Sequence, residues 1–218
     1  MIVYFCYSFK SHMKKNLFQS MSLMAPVLLL SACSGTKEKA TEPKPLNIIH
    51  IMTDDHSFQT ISAYGHALGK LAPTPNIDRL AARGVLFRQA FVENSLSTPS
   101  RACLMTGLYS HQNGQRQLGK GIDTTKVFFS EILQQHGYQT AVVGKWHMQC
   151  EPKGFDYYQI LWDQGEYYNP EFKSKETNGE YVKREGYATK LTTDYALEFL
   201  EKRNPNKPFC LLVHHKAP

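Results

Sequence analysis

Three short apolar runs, residues 47–52, 138–143 and 208–214, constrain what this chain can fold into more than any other feature. Each is too short for a stable helix, and each is followed or preceded by a segment with helical spacing. The isoleucine-rich run at 47–52 reads as a central strand, and 138–143 is β-branched enough for another. Between them Thr74-Pro75 starts a helix that keeps Ile77, Leu80 and Ala81 on one face and stops at Gly84. A second amphipathic segment, 128–136, stops at Gly137. A third, 187–203, places Leu191, Tyr195, Leu197, Phe199 and Leu200 at its apolar positions. Residues 85–92 read as one further strand. Alternating strands and helices predict an α/β fold with a largely parallel central sheet and functional loops at the carboxyl ends of the strands. Residues 150–186, rich in Tyr, Gly, Asp and Glu, are expected to form a long excursion over one face.

The start of the chain reads as a targeting segment. Lys14 and Lys15 precede an apolar stretch at 24–30, too short to span a bilayer, which ends in Leu30-Ser31-Ala32-Cys33. Small residues before a cysteine resemble the lipobox of a bacterial lipoprotein, with Cys33 lipidated and residues 1–33 forming the signal peptide. Met13 is the more natural start, which makes residues 1–12 an extension. Residues 34–45 carry two prolines and no large apolar side chain, and are expected to be a flexible tether. The leader holds three lysines and no acids, so without it the net charge of +6 falls to +3. So mild an excess, with no nucleic-acid motif, argues against nucleic-acid binding. Cys103, Cys150 and Cys210 match neither a zinc site nor a disulfide framework and read as buried thiols. The folded domain is expected over 46–218.

Two strand ends and one helix start carry the chemistry. In Ser97-Thr98-Pro99-Ser100-Arg101-Ala102-Cys103-Leu104-Met105-Thr106-Gly107, Thr98 reads as the N-cap and Pro99 as the first helical residue. Ser97 then sits just before the helix, where unpaired N–H groups converge, with Arg101 one turn inside. Such a start suits a tetrahedral oxyanion such as sulfate or phosphate, and also describes an ordinary capped helix. Asp54 and Asp55 follow the central strand. They suit a hard cation, Ca²⁺ or Mg²⁺, or else a solvated acidic turn that caps the next helix. Lys145 and His147, after the strand at 138–143, could face one pocket or be structural.

Together these stretches resemble the type I sulfatase family from about Leu46 onward. The Ser97-x-Pro99-Ser100-Arg101 signature with Thr106-Gly107 is the most specific mark. Asp54-Asp55, Pro75-Asn76-Ile77-Asp78, Gly137-Tyr138 and Gly144-Lys145-Trp146-His147 follow the family's order. The resemblance implies an alkaline-phosphatase-like sandwich, helices flanking a largely parallel sheet. It also implies conversion of Ser97 to formylglycine by a radical-type maturing enzyme, since the position holds serine. The hydrated aldehyde would attack sulfur with one hydroxyl, held by the divalent cation, and expel sulfate through the other. Asp54, Asp55 and residue 97 would then be metal ligands. Arg101 would steady the formylglycine, Lys145 would neutralise sulfate oxygens and His147 would accept a proton.

Residues 152–157, 164–170 and 215–218 resemble bacterial enzymes acting on 6-O-sulfated N-acetylglucosamine in glycosaminoglycans or mucin glycans. The aromatic residues of 164–170 could stack on sugars or close a core. Family members run to about twice this length, so the chain is expected to be an N-terminal fragment. The remaining metal ligands and a general acid would lie beyond Pro218, a sheet edge would be left open, and turnover would be absent. Two other functions fit the same residues: a phosphate or phosphonate ester hydrolase of the superfamily, and a non-catalytic lipoprotein that binds sulfated glycan.

Overall fold

The computed structural model describes residues 4–7 and 44–217, so the leader, Cys33 and most of the tether lie outside the described residues apart from Tyr4–Tyr7. The strands are β1 (Tyr4–Tyr7), β2 (Ile48–Met52), β3 (Gln139–Gly144), β4 (Tyr157–Leu161), β5 (Glu171–Ser174), β6 (Val182–Lys183) and β7 (Phe209–His214). The helices are α1 (Ala67–Leu71), α2 (Pro75–Arg83), α3 (Ser97–Thr106), α4 (Ser110–Asn113), α5 (Phe129–Gln135) and α6 (Ala188–Lys202). One sheet runs in the order β1-β2-β7-β3-β4-β5-β6. Its centre, β2, β7, β3 and β4, is parallel, whereas β1, β5 and β6 are antiparallel.

The two faces of the sheet are read directly from the period-two alternation of its buried strands. Val142, Ile160, Cys210 and Leu212 face Ala102 and Met105 of α3, together with Phe128 and the partly buried Phe129 and Leu133 at α5. Ala141, Val143, Leu211 and Val213 face Ala196 and Phe199 of α6. Helices therefore cover both faces of the sheet, as the α/β sandwich requires.

Two expectations are corrected. Residues 85–92 form no strand: Val85, Phe87 and Phe91 stand exposed, Phe91 at 88%. The apolar pattern is present, but the segment pairs with no described strand, and a lone strand cannot satisfy its own backbone groups. Residues 150–186 do not lie over a face either. They supply β4, β5 and β6, which extend the sheet sideways, with Leu161 paired to Phe172 and Phe172 to Val182.

Register positions the site. His214 of β7 lies opposite Met52 of β2 and Gly144 of β3, so three carboxyl ends stop in line. The Lys145 N–H donates to His214 O at 2.8 Å, and the His215 N–H to Met52 O at 2.8 Å. Gly144 is required here: with φ +93°, a Cβ added to it would lie 2.0 Å from the carbonyl oxygen of His214. Beyond β2, Asp78 of α2 accepts from Ser62 Oγ (2.6 Å), the Ala63 N–H (2.9 Å) and Thr74 Oγ1 (3.0 Å), which ties the loop after β2 to that helix.

Candidate active site

Helix α3 begins at Ser97 with Leu96 as N-cap, two residues earlier than the expected boundary, so Ser97 is the first helical residue and Pro99 the third. Leu96 takes the extended conformation that lets the chain enter the helix directly, and the Ser100 N–H donates to Leu96 O at 2.9 Å. No side chain caps this terminus, which leaves the N–H groups around Ser97 turned toward any anion placed there. The four-residue spacing sets Arg101 over Ser97, and Arg101 Nε donates to Ser97 Oγ at 3.4 Å.

Arg101 is only 1% exposed, and it joins four segments. Besides Ser97, it donates through Nη1 to Lys145 O (2.7 Å) and His214 Nδ1 (3.1 Å), and through Nη2 to Asp54 Oδ2 (3.3 Å). A buried guanidinium demands such saturation, and its rigid fork converts it into fixed geometry. Asp54 Oδ2 also pairs with Lys145 Nζ. Burial pushes the Asp54 carboxyl up, but Lys145 and then Arg101 outweigh it and hold it below the usual carboxylate range. Lys145 is lowered by burial first, against the opposing hydrogen bond to Asp54.

His147 reaches the same point from β3. Its φ of 50° turns the chain back over α3, and its Nδ1 lies 3.0 Å from Ser97 Oγ. Thr98 Oγ1 donates to His147 O at 2.9 Å and fixes that turn. On the far side of the ring, Nε2 stands 3.3 Å from Asp163 Oδ1. With Nε2–H donated to Asp163, Nδ1 is left as an acceptor for the Ser97 hydroxyl. Burial, followed by the charge on Lys145, lowers the pKa of His147, which keeps the ring neutral and able to take a proton.

Ser97, Arg101, Lys145, His147 and Asp54 thus converge, as their positions at strand ends and a helix start implied. Asp55 is exposed, with φ 47°. The oxygen donors Asp54, Asp55 and residue 97 suit Ca²⁺ or Mg²⁺ in type. Among the described residues, however, no group of three or more His, Cys, Asp or Glu could hold a metal ion. Ca²⁺ takes six to eight oxygens, so a cation here needs further ligands.

Asp163 and His214 escaped the sequence reading. Asp163 follows β4 in the left-handed conformation, φ 42°, and only that turn brings it to His147. His214 ends β7, where a buried histidine in an apolar run gave no sign that it would orient an arginine. Tyr167 and Tyr168 are at the surface rather than in a core, and Lys216 Nζ lies 4.5 Å from the Tyr167 ring centre.

An arginine-held serine at a helix start, beside a histidine, a lysine and a carboxylate, is the constellation that the resemblance implied, and residues 46–218 match the family Sulfatase. The chain belongs to that family. It is 45% identical over 200 residues, 90% of its length, to an N-acetylglucosamine-6-O-sulfatase of Bacteroides thetaiotaomicron, and covers 35% of that protein. It is 38% identical over 140 residues to human Arylsulfatase D, covering 58% of this chain and 23% of that one. A structure solved in complex with its substrate D-glucosamine-2-N,6-O-disulfate superposes with TM-score 0.74 at 47% identity, covering 79% of the sulfatase chain and 34% of its counterpart. The sulfatase chain spans about a third of the length of the first of these relatives.

Proposed function

We propose that the protein carrying this chain hydrolyses sulfate esters of glycans, 6-O-sulfated N-acetylglucosamine foremost. In this reading formylglycine made from Ser97 provides the nucleophilic oxygen. The observation that carries the proposal is the approach of His147 Nδ1 (3.0 Å) and Arg101 Nε (3.4 Å) to one oxygen, Ser97 Oγ. The names of the relatives support the substrate class. Ca²⁺, held by Asp54, Asp55 and the oxygen at position 97, would supply the Lewis acidity that makes that oxygen nucleophilic.

The chain's own side chains do the rest. His147 takes the proton at Nδ1, and the positive charge that results is met by Asp163 at Nε2. Arg101 cannot lose its proton and holds the residue-97 side chain in one orientation. Lys145 Nζ lies in a water-poor setting, where its charge acts strongly on the oxygens of a sulfate group. The uncapped N–H groups of α3 complete an anion cradle. The same reading has a radical-type enzyme mature Ser97 and a lipid on Cys33 anchor the protein to a bacterial membrane. The sequence Leu30-Ser31-Ala32-Cys33 supports the anchor.

The test uses the protein as its native host makes it. The peptide carrying residue 97 should be lighter by two hydrogens than the serine form, and the protein should cleave an aryl sulfate faster than the matching aryl phosphate. Ser97→Ala should abolish both the mass change and the hydrolysis. An unmodified serine with no turnover, or faster cleavage of the phosphate, refutes the proposal.

A further inference from the structure

We infer that the hollow beside His147 is a subsite for an uncharged pyranose ring next to the sulfated sugar, with the Trp162 indole as its stacking platform. This rests on the sulfatase reading and specifies the substrate of the same site.

The turn after β4 carries Trp162 and Asp163 to the end of the sheet where Ser97 lies. A cavity of 510 Å³ opens there, with His147, Cys150, Trp162 and Tyr181 in its walls. A second, of 330 Å³, lies against Trp162 on the Gly165–Glu166 side. Both are bounded by Trp162 and Asp163. The sizes fall in the range of small-ligand sites.

Trp162 is 57% exposed, unusual for so large an apolar side chain. It is nonetheless held in place. The ring of Tyr181 meets it edge to face, with centres 5.0 Å apart and planes at 69°. Lys173 in turn sits 5.5 Å from the centre of the Tyr181 ring and pairs with Glu151. A pinned aromatic surface that stays open to solvent suits a ligand with one apolar face and a polar rim. A pyranose presents C–H bonds on one face and hydroxyls around its edge. Asp163 and Glu151 line that hollow and offer carboxylates to those hydroxyls. Lys173, in the same wall, is paired with Glu151, which leaves the Asp163 carboxylate to repel a second sulfate and so select an uncharged ring. Because His147 both walls the larger cavity and lies 3.0 Å from Ser97 Oγ, a ring bound there adjoins the reacting sulfur.

The test is calorimetric titration of the Ser97→Ala protein, which cannot turn over. The ligands are N-acetylglucosamine 6-sulfate and disaccharides that extend it by an unsulfated or a sulfated hexose. The unsulfated neighbour should tighten binding about tenfold, the gain from covering one indole face. Adding Trp162→Ala should erase that gain and Trp162→Phe should keep part of it. A disaccharide that binds no tighter than the monosaccharide, a gain that survives Trp162→Ala, or preference for the sulfated neighbour overturns the inference. Such results alongside wild-type hydrolysis of aryl sulfate leave the sulfatase reading standing. Absence of that hydrolysis refutes the reading itself.

Discussion

Substituting Gly144 by alanine tests whether the register of the central strands builds the site. Gly144 has φ +93°, and a Cβ placed there lies 2.0 Å from His214 O, 2.9 Å from His214 C and 2.9 Å from Thr192 Cγ2. The positive φ alone costs about 1–2 kcal/mol for a residue with a Cβ. Two of the three contacts are with backbone, so relief requires β7 to move by about 1 Å, an overpacking cost of roughly 1–3 kcal/mol. That movement also strains the hydrogen bond from the Lys145 N–H to His214 O, another 1 kcal/mol or so. The expected loss is about 4 kcal/mol, a large part of a domain's stability. Gly137 is the control: its φ is +81°, and an added Cβ meets nothing within 4 Å, so Gly137→Ala should cost only about 1–2 kcal/mol. Urea unfolding followed by the fluorescence of buried Trp146 measures both. Because Lys145 and His147 continue from β3, Gly144→Ala should also lower kcat about a hundredfold through their displacement. If the two alanine variants lose the same stability, close approach of the strands is not what Gly144 permits, and the reasoning fails.

Asp163→Asn should lower kcat on aryl sulfate about tenfold while KM changes less than threefold, because the amide no longer answers the charge that forms on His147. The melting temperature should not move, since Asp163 is half exposed; an equal rise in KM would show that Asp163 binds substrate instead. Stability should fall in mild acid. Burial, then the charge on Arg101, lowers His50 to about 4, so His50 stays neutral in the native state while the unfolded chain protonates near 6.5. The unfolded chain binds more protons between those values, so stability is full above about pH 6.5 and is lost progressively toward pH 4. By pH 5 this amounts to about 2 kcal/mol, which urea midpoints at pH 7 and pH 5 will detect and His50→Gln should reduce.

How far the sequence could be read depends on whether a residue's role was local. The runs around Val142 and Leu211 are buried on both faces and the run around Ile49 is partly buried on both, so apolar composition alone marked them as central strands. Helix α2 was equally plain, because Thr74-Pro75 and Gly84 bracket it with local signals. The run at 85–92 misled because its pattern says only that it could be a strand, whereas pairing depends on a partner edge. The segment 150–186 misled in the opposite way: β4 to β6 hold one another through cross-strand pairs, and two of those three strands are too short to show a period. In the site, Ser97 and Arg101 share one helical turn and were legible as a pair. Asp163 was not, because its contact with His147 depends on a left-handed turn and on two strands that lie side by side.

By itself the sequence determined the types of side chain available and their local frames: a serine and arginine one turn apart, two carboxylates after one strand, a lysine and histidine after another. Local dihedral preference and apolar periodicity act over a few residues, so they can be read without a fold. Only the tertiary structure decided that these frames meet at one oxygen. That meeting depends on β7, the last of the described strands in sequence, inserting between β2 and β3, and on backbone hydrogen bonds across sequence separations that no local preference encodes. The same insertion buries Arg101 among Asp54, Lys145 and His214, and it gives each of them the environment in which its charge has chemical force.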